Sequence, residues 1–381
     1  MRTWGGDQVE AALASGVGLL RTVTDRDWEG VPAGRLEWSC LQTAEHLAGT
    51  LLAYASLLAS RSADAYVPFD LTLDEGTGPA GVADVVETTG TLLAMAVRTT
   101  PRAVRAYHPY PFRGANREGF AAMAVTELLL HTHDIAEGLG VPYEPPADLC
   151  AGALTRLFPH VRPDAAPWPT LRWATGRGEL PDRAPVTGWH WVNPLALPAE
   201  RLTLEALTPA AAVDLHTGGD GGYAWLGGTP LQGARDASGM LVKAYENGVL
   251  HPEFGVFVVV RREDDRALGT MGFHGPPDDE GRVEVGYDLV EPARGHGYAT
   301  EALRALTAHA LAHDEVRTLC AVIDEDNLPS QGVATRAGFV PAPLEADRTA
   351  EERQREQQEQ QEQQGERTAA PQPLRLYVRE R

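Results

Sequence analysis

Cysteine is scarce in this sequence. Cys40, Cys150 and Cys320 stand far apart with no paired metal-ligand spacing, so they read as reduced thiols of a cytoplasmic protein. Basic charge is also short: 33 Lys and Arg oppose 53 Asp and Glu, a formal net charge of −20. That balance excludes nonspecific nucleic-acid binding, which rests on neutralising phosphates. It equally disfavours docking on an anionic membrane. No apolar run reaches the roughly 18 residues of a membrane span. The first residues lack the basic region and apolar core of a secretory signal. No internal repeat is visible.

What is present suffices for two or three domains with proper cores: 381 residues, 43% hydrophobic and 23% charged. Helical periodicity dominates the first half, over residues 8–23, 39–61, 82–98, 117–139 and 147–158. Ser39 is placed to cap the second of these, and Gly140 with Pro142 ends the fourth. Proline, glycine and aromatic residues mark loops at 28–38, 66–81, 107–114 and 160–173. Four such helices predict an up-down bundle.

Glu127 and His131 stand i, i+4 on one helical face, with Asp134 three residues further on. This spacing describes either a solvated helical pair or part of a metal site between helices, with His46 of the second helix as a third ligand. In the second case Asp134 orients a ligand imidazole from behind, and His133 points elsewhere.

Residues 192–200 hold two prolines and no periodic pattern, so a domain boundary is expected there. Beyond it, strands are expected at 201–207, 254–262, 267–274, 282–290, 317–323 and 374–378. Helices are expected from 209, over 234–247, after Gly297, and after Asn327 or Ser330. The glycine-rich 218–233 reads as a loop. The stretch 282–300 passes from strand through a glycine turn into a helix whose apolar face carries Leu303, Leu306, Ala310 and Leu311. Such a turn is built for phosphate. The first helical N–H groups have no intrahelical partner, and glycine permits close approach.

Two family resemblances attach to these motifs. Residues 38–49, 127–140 and 172–191 resemble, in that order, three segments of the DinB-like, mycothiol-dependent maleylpyruvate isomerase superfamily. Over residues 1–193 the resemblance implies a four-helix bundle that binds a divalent metal, usually zinc, through His46, Glu127 and His131. It also implies a low-molecular-weight thiol partner such as mycothiol. The second half is similar to the GNAT N-acetyltransferases. Arg294, Gly297 and Ala299 fill the fixed positions of their (Arg/Gln)-x-x-Gly-x-(Gly/Ala) signature, and residues 327–339 match a second block of the branch containing ribosomal-protein alanine acetyltransferases.

The GNAT resemblance implies acetyl-CoA as cofactor and an amine as acceptor. Its pyrophosphate would sit on the backbone of Gly295, His296, Gly297, Tyr298, Ala299 and Thr300 beside Arg294. The pantetheine arm would run along Leu289, Val290 and Glu291, and Asn327 would contact the cofactor. Glu284 is the candidate base and Ser330 the candidate acid for the leaving thiolate. For Glu284 the alternative is a solvated strand residue, and Tyr287 is read as packing. Family members often carry a tyrosine near the last helix, which this helix lacks.

The expected architecture is an α bundle followed by a mixed α/β domain, with residues 1–193 and 201–381 as domains and 194–200 as linker. A Glu/Gln-rich insertion at 345–367 lacks the apolar positions of a coiled coil. Three functions stay open: an acetyltransferase with an appended metal bundle, a thiol-dependent isomerase or transferase in the bundle, and a non-catalytic bundle that regulates the acetyltransferase. The acceptor, whether small-molecule amine or protein N-terminus, is open too, as is the oligomeric state.

Overall fold

A computed structural model describes residues 4–109, 113–162, 166–342 and 374–381. The expected Glu/Gln-rich insertion at 345–367 lies outside the described residues. The chain divides into two compact units. One holds residues 1–194 with 208–210 and 244–249, and the other holds 195–207, 211–243 and 250–381.

The first unit is helical. It runs α1 (Gly6–Arg21), α2 (Cys40–Ser60), α3 (Pro79–Thr99), a short ladder of β1 (Arg105–Ala106) with β2 (Ala115–Asn116), α4 (Arg117–Gly138), α5 (Ala147–Leu157) and α6 (Pro167–Ala174). Ser39 starts α2 through a reciprocal capping box with Gln42, and Arg61 leaves it at φ 55°. Asn116 caps α4 by accepting from the Gly119 N–H at 3.0 Å.

α4 is the centre of this unit. Residues on every side of it are buried, including Phe120, Met123, Leu128, Leu129 and Ile135, because α1, α2, α3 and α5 all pack on it. Each such large side chain contributes roughly 1.5–3 kcal/mol by leaving water. Glu127 interrupts the buried run. By length and composition α3, the helix expected at 82–98, would also suit a membrane span, although it contains no unbroken apolar run of that length. Yet Val82, Val86, Leu93 and Val97 are buried in the helical core, as in a core helix.

The second half continues with β3 (Ala196–Pro198), β4 (Leu202–Ala206), α7 (Pro209–His216), β5 (Ala224–Trp225), α8 (Gln232–Glu246), β6 (Val256–Arg261), β7 (Arg266–Phe273), β8 (Arg282–Leu289), α9 (Tyr298–Leu311), β9 (Thr318–Asp324), α10 (Leu328–Arg336), β10 (Val340–Pro341) and β11 (Leu374–Glu380). Among the described residues these strands form one nine-stranded sheet in the order β10-β11-β9-β8-β7-β6-β4-β3, with β5 alongside β7. The mixed α/β architecture was expected; several short elements were not. The linker stretch carries β3, the glycine-rich loop carries β5, and the Pro/Trp-rich stretch carries α6. Pieces of two to eight residues show too few periods to stand out.

One irregularity organises the sheet. β8 pairs with β7 along Val285–Leu289 but with parallel β9 only at Arg282, Val283 and Glu284. Beyond Glu284 the two neighbours part. The far half of β8 therefore presents an unpaired backbone edge, and α9 and α10 follow from the strand ends on either side of the gap.

Candidate functional site

The gap beside β8 opens into a groove of about 640 Å³. Leu289 and Asp288 line it from the strand, Arg294, Gly295, Gly297, Tyr298, Ala299 and Thr300 from the turn into α9, and Asn327 and Ser330 from the start of α10. Gly295 and Gly297 have φ of 80° and 79°, conformations that glycine adopts without strain. Gly297 is the N-cap of α9 and offers no side-chain acceptor to its N–H groups. The Thr300 hydroxyl is buried without a hydrogen-bond partner among the described residues. Uncapped N–H groups and an orphaned hydroxyl at one helix start fit an anionic phosphate.

Other residues hold this turn. Arg294 Nε donates to the Leu289 carbonyl at 2.9 Å, tying turn to strand. Arg201 donates to Glu301 at 2.8 Å and to the His296 carbonyl at 3.1 Å, and its guanidinium lies 4.6 Å from the Tyr298 ring centre. Asn327 caps α10 by accepting from the Ser330 N–H at 3.2 Å.

Three predicted cofactor residues do not line the groove. Val290 is buried, its N–H donating to Leu268. Glu291 opens the one-turn helix Glu291–Ala293. His296 carries its ring toward Tyr298 at 5.7 Å. Glu284 also lies off the groove, since it sits in the paired half of β8 and binds Nδ1 of His274 at 2.9 Å.

Tyr287, read from sequence as packing, has a definite polar role. Its hydroxyl lies 2.7 Å from Ser330 Oγ and donates to the Ser330 carbonyl at 3.1 Å. No tyrosine lies on α10 itself; the Tyr287 hydroxyl reaches its first turn from β8. Tyr287 itself lines the groove, immediately before Asp288 and Leu289 on the strand, and that position was the available signal. Burial pushes the Tyr287 phenol above its ordinary range, against the opposing Ser330 bond. Burial likewise raises the Asp288 carboxyl, with Arg294 acting the other way at 3.8 Å.

A second constellation lies in the helical unit. The ligand atoms of His46, Glu127 and His131 lie within 4.8 Å of one another. His131 Nε2 is 3.0 Å from Glu127, and its Nδ1 is 3.1 Å from Asp134. Arg177 in turn grips Asp134 with Nε at 3.0 Å and a terminal nitrogen at 3.0 Å. Burial alone would lower the His131 imidazole, but its bonds to Asp134 and Glu127 outweigh that and push it up to about 9. Burial, with neighbouring His131, lowers His46. His133 turns away and packs against Trp168. His46 and Glu127 line a cavity of about 720 Å³ with Tyr54, Tyr66, Trp189 and Trp191 in its walls. Two imidazoles and a carboxylate, one imidazole fixed from behind, are a donor set that fits zinc. Arg177 was not anticipated, because nothing local in the sequence links it to Asp134 43 residues earlier.

Residues 201–340 match the family model described as acetyltransferase (GNAT) domain. The chain is 32% identical over 87 residues to the uncharacterized N-acetyltransferase YjdG of Bacillus subtilis (strain 168), covering 23% of this chain and 52% of that protein. It is 28% identical over 102 residues to the uncharacterized N-acetyltransferase p20 of Bacillus licheniformis, covering 27% and 55%. A solved acetyltransferase from Agrobacterium tumefaciens str. C58 aligns at 23% identity and TM-score 0.31, over 54% of this chain and 100% of that one. The chain spans about half the length of the curated relatives it matches. Residues 201–340 thus form a GNAT acetyltransferase domain, preceded by an all-helical region.

Proposed function

We propose that the α/β unit binds acetyl-CoA in the groove beside β8 and transfers the acetyl group to a primary amine by direct attack. The observation that carries this reading is the meeting, in one groove, of the uncapped start of α9 and the unpaired edge of β8. The backbone N–H groups from Gly297 to Thr300 suit a pyrophosphate, and the edge of β8 beyond Glu284, which β9 leaves unpaired, suits the amide groups of a pantetheine arm. Backbone donors at this edge also stabilise charge on a thioester oxygen as it becomes tetrahedral. The Tyr287 hydroxyl, bonded to Ser330, is the proton donor this reading assigns to the leaving thiolate. Titration calorimetry with acetyl-CoA tests the groove. Saturable binding is expected for the native chain and loss of binding for Gly297→Glu, which sets a carboxylate among the phosphate-facing N–H groups. Unchanged binding by that variant rules out the pyrophosphate assignment.

We infer further that His46, Glu127 and His131 hold one divalent metal, favoured by their convergence and by the Asp134 and Arg177 bracing behind His131. A zinc ion with three protein ligands keeps one position for water or a thiolate. His131 would offer Nε2 to such an ion while Asp134 holds the Nδ1 proton in place. Metal analysis of protein purified without a histidine tag is expected to give about one metal per chain, and less for His46→Ala and Glu127→Ala. Equal content in all three excludes the triad.

A further inference from the structure

A second cavity, about 240 Å³, lies between α8 and the strands β7 and β8. It shares Tyr287 and Asp288 with the groove, so the two meet at one point of the strand. His274, which follows β7, lines this second cavity. Its Nδ1 is 2.9 Å from Glu284, and its N–H continues the ladder to the Glu284 carbonyl at 3.0 Å. The ring lies across Gly286: a β-carbon on that glycine would stand 2.8 Å from His274 Nε2. Glycine at 286 thus makes room for the imidazole. With Nδ1 committed to Glu284, Nε2 remains, and no described residue bonds it. The cavity lining contains two carboxylates, Asp236 from α8 and Asp288 from β8, and no lysine or arginine.

Resting on the acetyl-transfer reading, we propose that this cavity receives the acceptor as a short aliphatic primary ammonium, that His274 Nε2 takes its proton, and that Glu284 is the positioning residue that holds the ring. At about 240 Å³ it falls below the roughly 300–1,000 Å³ of drug-sized pockets, which favours a narrow alkyl chain over a ring system. An ammonium entering this carboxylate-lined space meets complementary charge. The ammonium gives one proton to Nε2, and the imidazolium keeps its Nδ1 hydrogen bond to Glu284. The freed lone pair forms the C–N bond with the thioester carbon. The C–S bond then breaks, and the remaining excess proton on nitrogen passes to the thiolate through the Tyr287 hydroxyl. The products are amide and thiol, with one proton released from His274 to solvent. The arrangement also explains why Glu284 lies off the groove: it acts through His274 rather than on the amine.

Glu284 from β8 bonds the imidazole, and the other titratable groups that share the cavity with it are Asp288 and Tyr287 from β8 and Asp236 from α8. The side-chain bond to Glu284 raises its pKa above the ordinary histidine value, burial opposing. A base with a raised pKa works only once pH exceeds it, so kcat should climb through a limb above that ordinary value. The test measures acetyl-CoA binding by calorimetry and thiol release from pH 5.5 to 9.5 with three probes: n-butylamine, Nα-acetyl-lysine amide and a glycine-headed tripeptide. At least one of the first two should be turned over. Preference between them distinguishes a free amine from a lysine side chain. Glu284→Gln should move the acid limb of kcat to lower pH, since the carboxylate that raises the imidazole is gone. His274→Gln should abolish the limb and lower kcat about a hundredfold or more, with acetyl-CoA affinity unchanged. Should that variant not fold, the His274 ring resonances of the native chain, titrated with n-butylamine, should shift. The proposal is overturned by a limb that stays in place in Glu284→Gln, by turnover of the tripeptide alone, by unmoved ring resonances, or by no turnover while acetyl-CoA binds. Failure of the native chain to bind acetyl-CoA removes the underlying reading instead.

Discussion

The hydroxyl of Tyr287 on β8 lies 2.7 Å from Oγ of Ser330 on α10, so one hydrogen bond spans the gap in which the groove is formed. The phenol also donates to the Ser330 carbonyl, and this second acceptor keeps it anchored if the serine hydroxyl is lost. The two residues therefore do not contribute equally. Tyr287→Phe removes the proton donor and is expected to lower kcat about a hundredfold while the acetyl-CoA Kd moves little. Ser330→Ala should have a far smaller effect on kcat. Because burial raises the phenol's pKa, the native chain should show no alkaline loss of kcat from this group below its ordinary titration range. Steady-state thiol release on both variants decides the order, and equal effects would remove Tyr287 from the acid role.

The two glycines of the turn differ in what surrounds them. Both have positive φ, near 80°. A β-carbon on Gly295 would meet nothing within 4 Å, whereas one on Gly297 would lie 3.6 Å from Arg201. Neither alanine clashes, so the cost is conformational, roughly 1–2 kcal/mol. Gly297 is also the N-cap, and relaxing its φ would re-aim the first N–H groups of α9. Both alanine variants should therefore lose similar stability in urea titrations, and only Gly297→Ala should also weaken acetyl-CoA, by about tenfold. Equal Kd values would show that the helix start does not bind the phosphate.

Much of this was legible in the sequence for physical reasons. Long amphipathic segments gave α1 to α3 and a long apolar one gave α4, each within a few residues, and Ser39 and Asn327 marked helix starts through their capping chemistry. The glycine turn could be read because Gly295 and Gly297 answer a conformational demand. The triad was legible only through resemblance, since the spacing of Glu127 and His131 describes a surface pair equally well. Tertiary placement was not legible. That β8 leaves β9 after Glu284, sending Tyr287 to α10 and Glu284 to His274, follows from how strands diverge, and alternation along one strand does not encode it. Arg177 meets Asp134 only after the chain has passed through α5 and α6.

Arg201 stands immediately before β4 and braces the turn from outside the groove. Its side chain holds Glu301 and the His296 carbonyl and lies over Tyr298. The pair with Glu301 is half exposed on the arginine side, so its share of stability is small, about 1 kcal/mol or less. The Arg201 backbone N–H still donates to Glu301 at 2.7 Å after truncation of the side chain. Arg201→Ala should therefore lower the melting temperature only slightly yet raise the acetyl-CoA Kd severalfold, because the turn loses its outer support. Arg201→Lys should recover charge but not the two-directional grip, and so restore affinity only in part. An unaltered Kd in Arg201→Ala would show that the turn is rigid without it.

Asp134 joins His131 to Arg177 inside the helical unit. Its carboxylate is almost fully buried and is held by Arg177 and His131 together. Burial alone would raise its pKa, but the bonds to His131 and Arg177 outweigh that and set it below the ordinary value. A carboxylate depressed in the folded state stabilises the fold above its unfolded pKa, and that contribution is lost as pH falls through the folded one. The loss should thus appear only in acid, below the ordinary aspartate value of about 3.9. Arg177→Ala leaves a buried negative charge with His131 as its remaining partner and should cost about 3–5 kcal/mol at neutral pH. Asp134→Asn removes the charge itself, so adding it to Arg177→Ala should recover part of that loss and flatten the acid limb. Urea unfolding of the two single variants and the double variant, at neutral and acid pH, measures each term. Strictly additive losses would mean that the two side chains do not act as a pair.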